Sequence, residues 1–167
     1  MGRATRGLAL GGAAVVLAAA AGLRPVAFLE LANPVRGRAA RLALGRGEVF
    51  SVTSWHSIHD RPFTEEFAVD AEGRIALRAL ASPSAAVREY FGLAGPGERQ
   101  PVERLMPEVV YRVAMGTPQR LRAGGAERSF LEVGEPGDRL ILRARRGPVA
   151  ARWFSSLAEA VVRADRP

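Results

Sequence analysis

The sequence predicts a mainly β protein: a small antiparallel β-sandwich or barrel with an N-terminal signal or anchor helix and a C-terminal helix. Three observations predict it. From Val26 onward, short segments alternate apolar and polar residues with period two, the repeat of a half-buried strand. Eighteen glycines and eleven prolines in 167 residues supply turns between those segments. The two ends of the chain break the alternation with apolar runs of a different kind.

At the N-terminus, Arg3 and Arg6 precede sixteen uncharged, mostly apolar residues, Leu8 to Leu23. A basic start followed by such a run is the pattern of a secretory signal. The run falls short of the ~20 residues a helix needs to cross the hydrocarbon core. No small-residue cleavage site near Ala19–Ala21 or at Ala27 is clean, so residues 1–24 read as a signal peptide or a membrane anchor. In an anchor, Arg3 and Arg6 stay cytoplasmic by the positive-inside rule. Both forms export residues 25–167, placing the domain in the periplasm or on the outer face of the inner membrane.

The alternation then predicts strands at Val26–Leu31, Ala39–Leu44, Glu48–Trp55, Phe63–Asp70 and Arg74–Leu80. Later strands are expected at Val109–Ala114, Gln119–Arg122, Ser129–Val133 and Arg139–Arg145. "DAEG" (70–73) and "GEPGD" (134–138) are tight-turn signals. Between them, "SPSAAVREYFGLAGPGERQP" (82–101) predicts a helical turn at Ser84–Phe91 and then a loop, and loops of that length are commonly functional or mobile. The final segment predicts a helix from about Ala150 to Arg163, with Trp153, Leu157, Ala160 and Val161 on one stripe.

Composition narrows the chemistry. The absence of cysteine excludes a disulfide framework, thiolate metal sites and cysteine nucleophiles. The net charge is +7, and every basic residue is an arginine. Such a balance invites a nucleic-acid or anionic-membrane partner. The arginines are scattered singly or in pairs with few aromatics between them to stack bases, which argues against nucleic acid.

Both histidines lie in "SVTSWHSIHDRPFTEEFAV" (51–69). Phasing puts Phe50, Val52, Ser54 and His56 on one face of the first strand, and Phe63, Glu65, Phe67 and Val69 on one face of the second. Pairing Val52 with Val69 sets His56 opposite Glu65, at the ~4.5–5.5 Å Cβ spacing of an ion pair or hydrogen bond. A carboxylate on an apolar face needs such a partner, and the Ser57 hydroxyl is a second candidate. His59 and Glu66 are expected to face solvent.

Four uses compete for these residues. The His56–Glu65 pair can pin the hairpin register. His56, Ser57, Arg61 and Glu65 can line a rim pocket that binds an organic anion or a partner. His56 and His59 can hold a metal with Glu65 or Asp60, although the H-x-x-H spacing in an extended loop does not bring two rings to one side. Ser57 can act as a nucleophile beside a histidine base, but no G-x-S-x-G elbow occurs. No catalytic residue, metal ligand or cofactor is assigned.

Residues 28–77, "FLELANPVRGRAARLALGRGEVFSVTSWHSIHDRPFTEEFAVDAEGRIAL", carry an aromatic before a His-Ser pair, a proline six residues after that histidine and a glutamate nine after it. An aromatic and a D-x-x-G turn follow. These are Phe50, His56, Ser57, Pro62, Glu65, Phe67 and "DAEG", and together they resemble domain-of-unknown-function family 1850. Where that family has a glycine-rich segment, this chain reads "ALASPSAAVREYFGLAG", with its glycines at Gly92 and Gly95. The resemblance implies a small exported accessory protein of a TAXI-type TRAP transport system for organic anions. Its partners would be the permease or its periplasmic binding protein, and its role would be non-catalytic. A free-standing periplasmic ligand-binding module, or a hydrolase or metal-dependent enzyme using the same loop, are the alternatives.

Overall fold

A computed structural model describes residues 25–44, 49–93 and 95–148. The chain divides into a unit of residues 27–145 and a second made of both termini, nearly all of it outside the described residues. The expected helices at 1–24 and about 150–163 lie there. No helix among the described residues is long and apolar enough to cross a membrane.

The fold is mainly β, as expected. Among the described residues ten strands run β1 (Pro25–Asn33), β2 (Arg38–Ala43), β3 (Val49–His56), β4 (Arg61–Val69), β5 (Ile75–Ala81), β6 (Arg99–Met106), β7 (Val109–Arg112), β8 (Arg120–Ala123), β9 (Ala126–Ser129) and β10 (Arg139–Pro148). A short helix, α1 (Ala85–Tyr90), joins β5 to β6. One antiparallel sheet has the order β2-β1-β10-β7 and the other β6-β5-β4-β3-β8-β9.

Alternation builds the core. Along β3, Phe50, Val52, Ser54 and His56 are buried and the residues between them point outward. Phe50 faces Phe67 across the β3–β4 ladder, with ring centroids 4.9 Å apart. They join Leu29 and Leu31 of β1, Leu42 of β2, Leu121 of β8 and Leu140 and Leu142 of β10 in one apolar cluster fed by both sheets.

Two expectations need correction. Residues 99–106 form strand β6 instead of a loop: it pairs with β5 at the sheet edge, where Pro101 is tolerated. Its one fully buried residue is the polar Gln100, and the apolar Val102 and Met106 on the same face are only half-buried, so apolar alternation marks it weakly. The strand expected at Ser129–Val133 instead begins at Ala126 and stops at Ser129. There a capping box with Glu132 turns the chain into a 3-10 turn, Phe130–Glu132.

Turns are fixed by specific groups. Gly124 and Gly125, both at positive φ, close the two-residue β8–β9 hairpin. Buried Asn33 accepts the N–H groups of Val35 and Arg36, turning β1 into β2, and donates to Asp138 at 2.9 Å. Arg36 donates to Asp138 and forks onto Glu135 at 2.8 and 2.9 Å. The β1–β2 turn is thereby tied to the turn that precedes β10.

Candidate functional site

The β3–β4 hairpin closes in four residues, Ser57–Asp60. Asp60 adopts φ 51°, a left-handed conformation that Asp tolerates, and its N–H donates to the His56 carbonyl at 2.8 Å. The Trp55 indole N–H donates to the Asp60 carboxylate at 2.7 Å, and the His59 amide donates to His56 Nδ1 at 3.3 Å.

This tight closure overturns the expected register. His56 faces Arg61, and Glu65 faces Val52. The slip is four residues, so it preserves every face while abolishing the His56–Glu65 pair, which stands four ladder positions apart, about 13 Å along the strand. A four-residue loop wins because it adds residues 61–64 to the ladder, and Asp60 makes that loop accessible without a glycine.

The sequence-derived site residues therefore fall into separate surroundings. His56 is 7% exposed. Ser57 is exposed in the loop, and Arg61 is exposed with its guanidinium donating to the Asp60 carbonyl at 3.1 Å. Glu65 turns inward, where its carboxyl accepts from the Tyr111 hydroxyl of the other sheet at 2.9 Å. Burial pushes the Glu65 carboxyl up, with the Tyr111 hydrogen bond pulling partly back. Burial also raises the Tyr111 phenol well above its ordinary value, and the Glu65 carboxyl adds to it. His59 is half-buried instead of exposed, and Glu66, also half-buried, is paired with Arg99. Among the described residues, no group of three His, Asp or Glu side chains could hold a metal.

Helix α1 completes the hairpin end. Ser84 caps its start, and Gly92, at φ 72°, ends it in a Schellman turn with Gly92 N–H on Glu89 and Leu93 N–H on Arg88. Buried Ser82 fixes the helix against β4: its hydroxyl donates to the Pro62 carbonyl at 2.8 Å, and its own carbonyl accepts from Arg88 at 2.7 Å. Val87, wholly buried, anchors the helix.

The result is an aromatic box around His56. The Tyr90 ring meets it edge-on at 4.4 Å, Phe91 at 5.8 Å and Phe63 at 6.2 Å, while His59 stacks on it at 5.0 Å. Some large apolar side chains at this end are exposed. Ile58 is 69% exposed, Tyr90 59%, and Phe91 and Trp55 are also exposed. Sequence reading missed Phe63, Tyr90, Phe91 and Tyr111; the apolar "YF" at the end of a predicted helical turn is the one signal that could have drawn attention to Tyr90 and Phe91. In this arrangement a hydrolytic triad has no carboxylate orienter from Glu65, which is given to Tyr111.

Comparison with protein-family models, with curated proteins and with solved structures returns no match for this chain.

Proposed function

We propose that this protein is a non-catalytic binding module, a two-sheet sandwich whose hairpin end docks a partner protein. The observation that carries this reading is the exposure of Tyr90 and Phe91, ring centroids 5.5 Å apart at the helix end, and of Ile58 on the hairpin loop, whose His59 ring lies 6.1 Å from Tyr90. Large apolar and aromatic side chains grouped at one place on a surface are the usual mark of a docking site. The pair that fixes the tip, Trp55 with Asp60, and the helix anchor at Ser82 hold the face in shape before a partner arrives.

The resemblance of residues 28–77 gives the partner: the permease or periplasmic binding protein of a TAXI-type TRAP system, met by an exported chain. The test is co-purification of a tagged full-length chain with those two components. Wild type retains one of them, and Ile58→Glu, which places a charge on an exposed position and leaves the fold intact, reduces recovery about tenfold or more, the effect of losing an interface anchor. Equal recovery by Ile58→Glu, or recovery of neither component by wild type, overturns the reading.

A further inference from the structure

We propose that the outward face of the four-stranded sheet docks on anionic lipid headgroups, with the cross-strand arginines Arg112 and Arg139 as its phosphate clasp. This surface is separate from the hairpin end and does not rest on the docking function above.

Alternation defines the face. In β10, Leu140 and Leu142 are wholly buried, so Arg139, Ile141, Arg143 and Arg145 point away from the core. Register sets Arg112 and Val110 of β7 opposite Arg139 and Ile141. On the same side, β1 contributes Glu30, which pairs with Arg41 of β2 and with Arg145. Residues 27–145 hold seventeen arginines against fifteen acidic side chains, a net +2. Five of those arginines share this face with two glutamates, Glu30 and Glu108, a net +3, so everything else in the unit sums to −1. The positive charge of the unit is gathered on one sheet.

The two glutamates leave part of that charge unanswered. Glu30 takes Arg41 at 2.9 Å and Arg145 at 3.8 Å, and Glu108 takes Arg143 at 2.8 Å. Arg112 donates to the Gly137 carbonyl at 2.9 Å, and directly across the ladder it meets Arg139, exposed like itself. Like charges directly opposite weaken a ladder. An anion seated between them reverses the sign, and guanidinium forks match phosphate oxygens. Apolar groups stand among the cations: Val110 is 44% exposed, and the Phe28 ring lies 5.6 Å from the Arg41 guanidinium. Such a mix suits the boundary between headgroups and acyl chains. The remainder of the sequence selects lipid over another polyanion. The uncharged run Leu8 to Leu23 ends one residue before β1 begins at Pro25. An apolar segment that enters a bilayer brings β1, and with it this sheet, to the headgroups by chain connection alone.

The experiment uses the full-length chain, which has no cysteine, so a single Val110→Cys or Thr53→Cys substitution carries one fluorophore. Val110 lies on the proposed face, and Thr53 is exposed on the outer side of the six-stranded sheet, between Thr64 and Arg120. The chain is reconstituted in nanodiscs of phosphatidylcholine bearing a headgroup nitroxide quencher, with and without phosphatidylglycerol. The label at position 110 is quenched when phosphatidylglycerol is present, and the bound-to-free ratio falls about tenfold or more without it. The label at position 53 stays bright in both. Adding Arg139→Gln and Arg145→Gln lowers the ratio at position 110 about tenfold or more, the scale of two arginines at an anionic surface. Raising salt from about 0.1 M to about 1 M shortens the screening length from ~10 Å to ~3 Å and gives the same loss with every arginine in place. Equal quenching with and without phosphatidylglycerol, equal quenching at both positions, or quenching at position 110 that survives high salt overturns the proposal. So does a label at position 110 that anionic lipid leaves bright while poly-glutamate shields it from an aqueous quencher, a result that assigns the face to an acidic protein.

Discussion

Glu65 sits between Phe63 and Phe67 on the inner face of β4, with one neutral donor, the Tyr111 hydroxyl, to satisfy its carboxyl. Burial raises that carboxyl above its ordinary 4.5, and the sign of the pH dependence follows. Below the ordinary value both folded and unfolded chains hold the proton, and Glu65 takes nothing from stability. As pH rises past it, the unfolded chain ionises first, and the fold loses stability until the buried group ionises too. Glu65→Gln keeps an acceptor for Tyr111 and removes this slope. Urea unfolding midpoints of variant and wild type should coincide near about pH 4 and separate in the variant's favour toward about pH 7. Tyr111→Phe leaves the carboxyl without its donor and should destabilise by about 1–3 kcal/mol, most at the upper end of that range. The inward direction of Glu65 was legible from period two. Its partner was not, because Tyr111 lies 46 positions away in the other sheet and no local pattern announces a bond between sheets.

Among elements, the β3–β4 hairpin separates what a strand's alternation tells from what it leaves open. Alternation assigns faces, and the faces of Phe50, Val52, Ser54 and His56 were legible. Register is set by the loop, and any slip by an even number of residues leaves the faces unchanged, so the Val52–Val69 pairing was as consistent with the pattern as the observed Val52–Glu65. The decisive features were Asp60 in a left-handed conformation and its bond to Trp55. At β8–β9 the register likewise comes from the loop: Gly124-Gly125 at positive φ closes the hairpin and starts β9 at Ala126, ahead of the strand that alternation pointed to at Ser129–Val133. The turn network around Asp138 yields a prediction at this scale. The Arg36 hydrogen bond, helped by the Glu135 amide and Asn33, lowers the Asp138 carboxyl to about 2. Its stabilising effect is present above the ordinary 3.8 and is lost as pH falls through about 2. Asp138→Asn should therefore destabilise at neutral pH and show a shallower fall in urea midpoint on acidification than wild type.

For the unit of residues 27–145, the mainly β class was legible because its buried face repeats every second residue in most strands. Strand β6 was illegible for the converse reason: its one fully buried residue is Gln100, whose amide donates to the carbonyls of Gly95, Pro96 and Gly97 and so gives the preceding loop a polar centre. The candidate docking face was illegible as a whole. It joins residues 55–63 to residues 90–91, and the chain between them runs through two strands and a helix. Phe130 tests how strongly the two sheets are coupled. It is wholly buried in the shared cluster and meets the Tyr111 ring at 5.2 Å. Phe130→Ala should cost about 3–5 kcal/mol and shift far-UV circular dichroism and Trp fluorescence transitions together. Separate transitions would show that the sheets unfold independently.

Among the described residues, the order of the sheets leaves four strands with one unpaired side each: β2, β7, β6 and β9. Such borders can nucleate aggregation by pairing with another chain. Here β7 and β9 are four residues long, too short to template much, and β6 carries Pro101 among Arg99, Glu103 and Arg104. Arg38 and Arg41 add charge along β2. Each border is thus short, charged or interrupted by proline, the features by which natural sheets discourage edge-to-edge pairing.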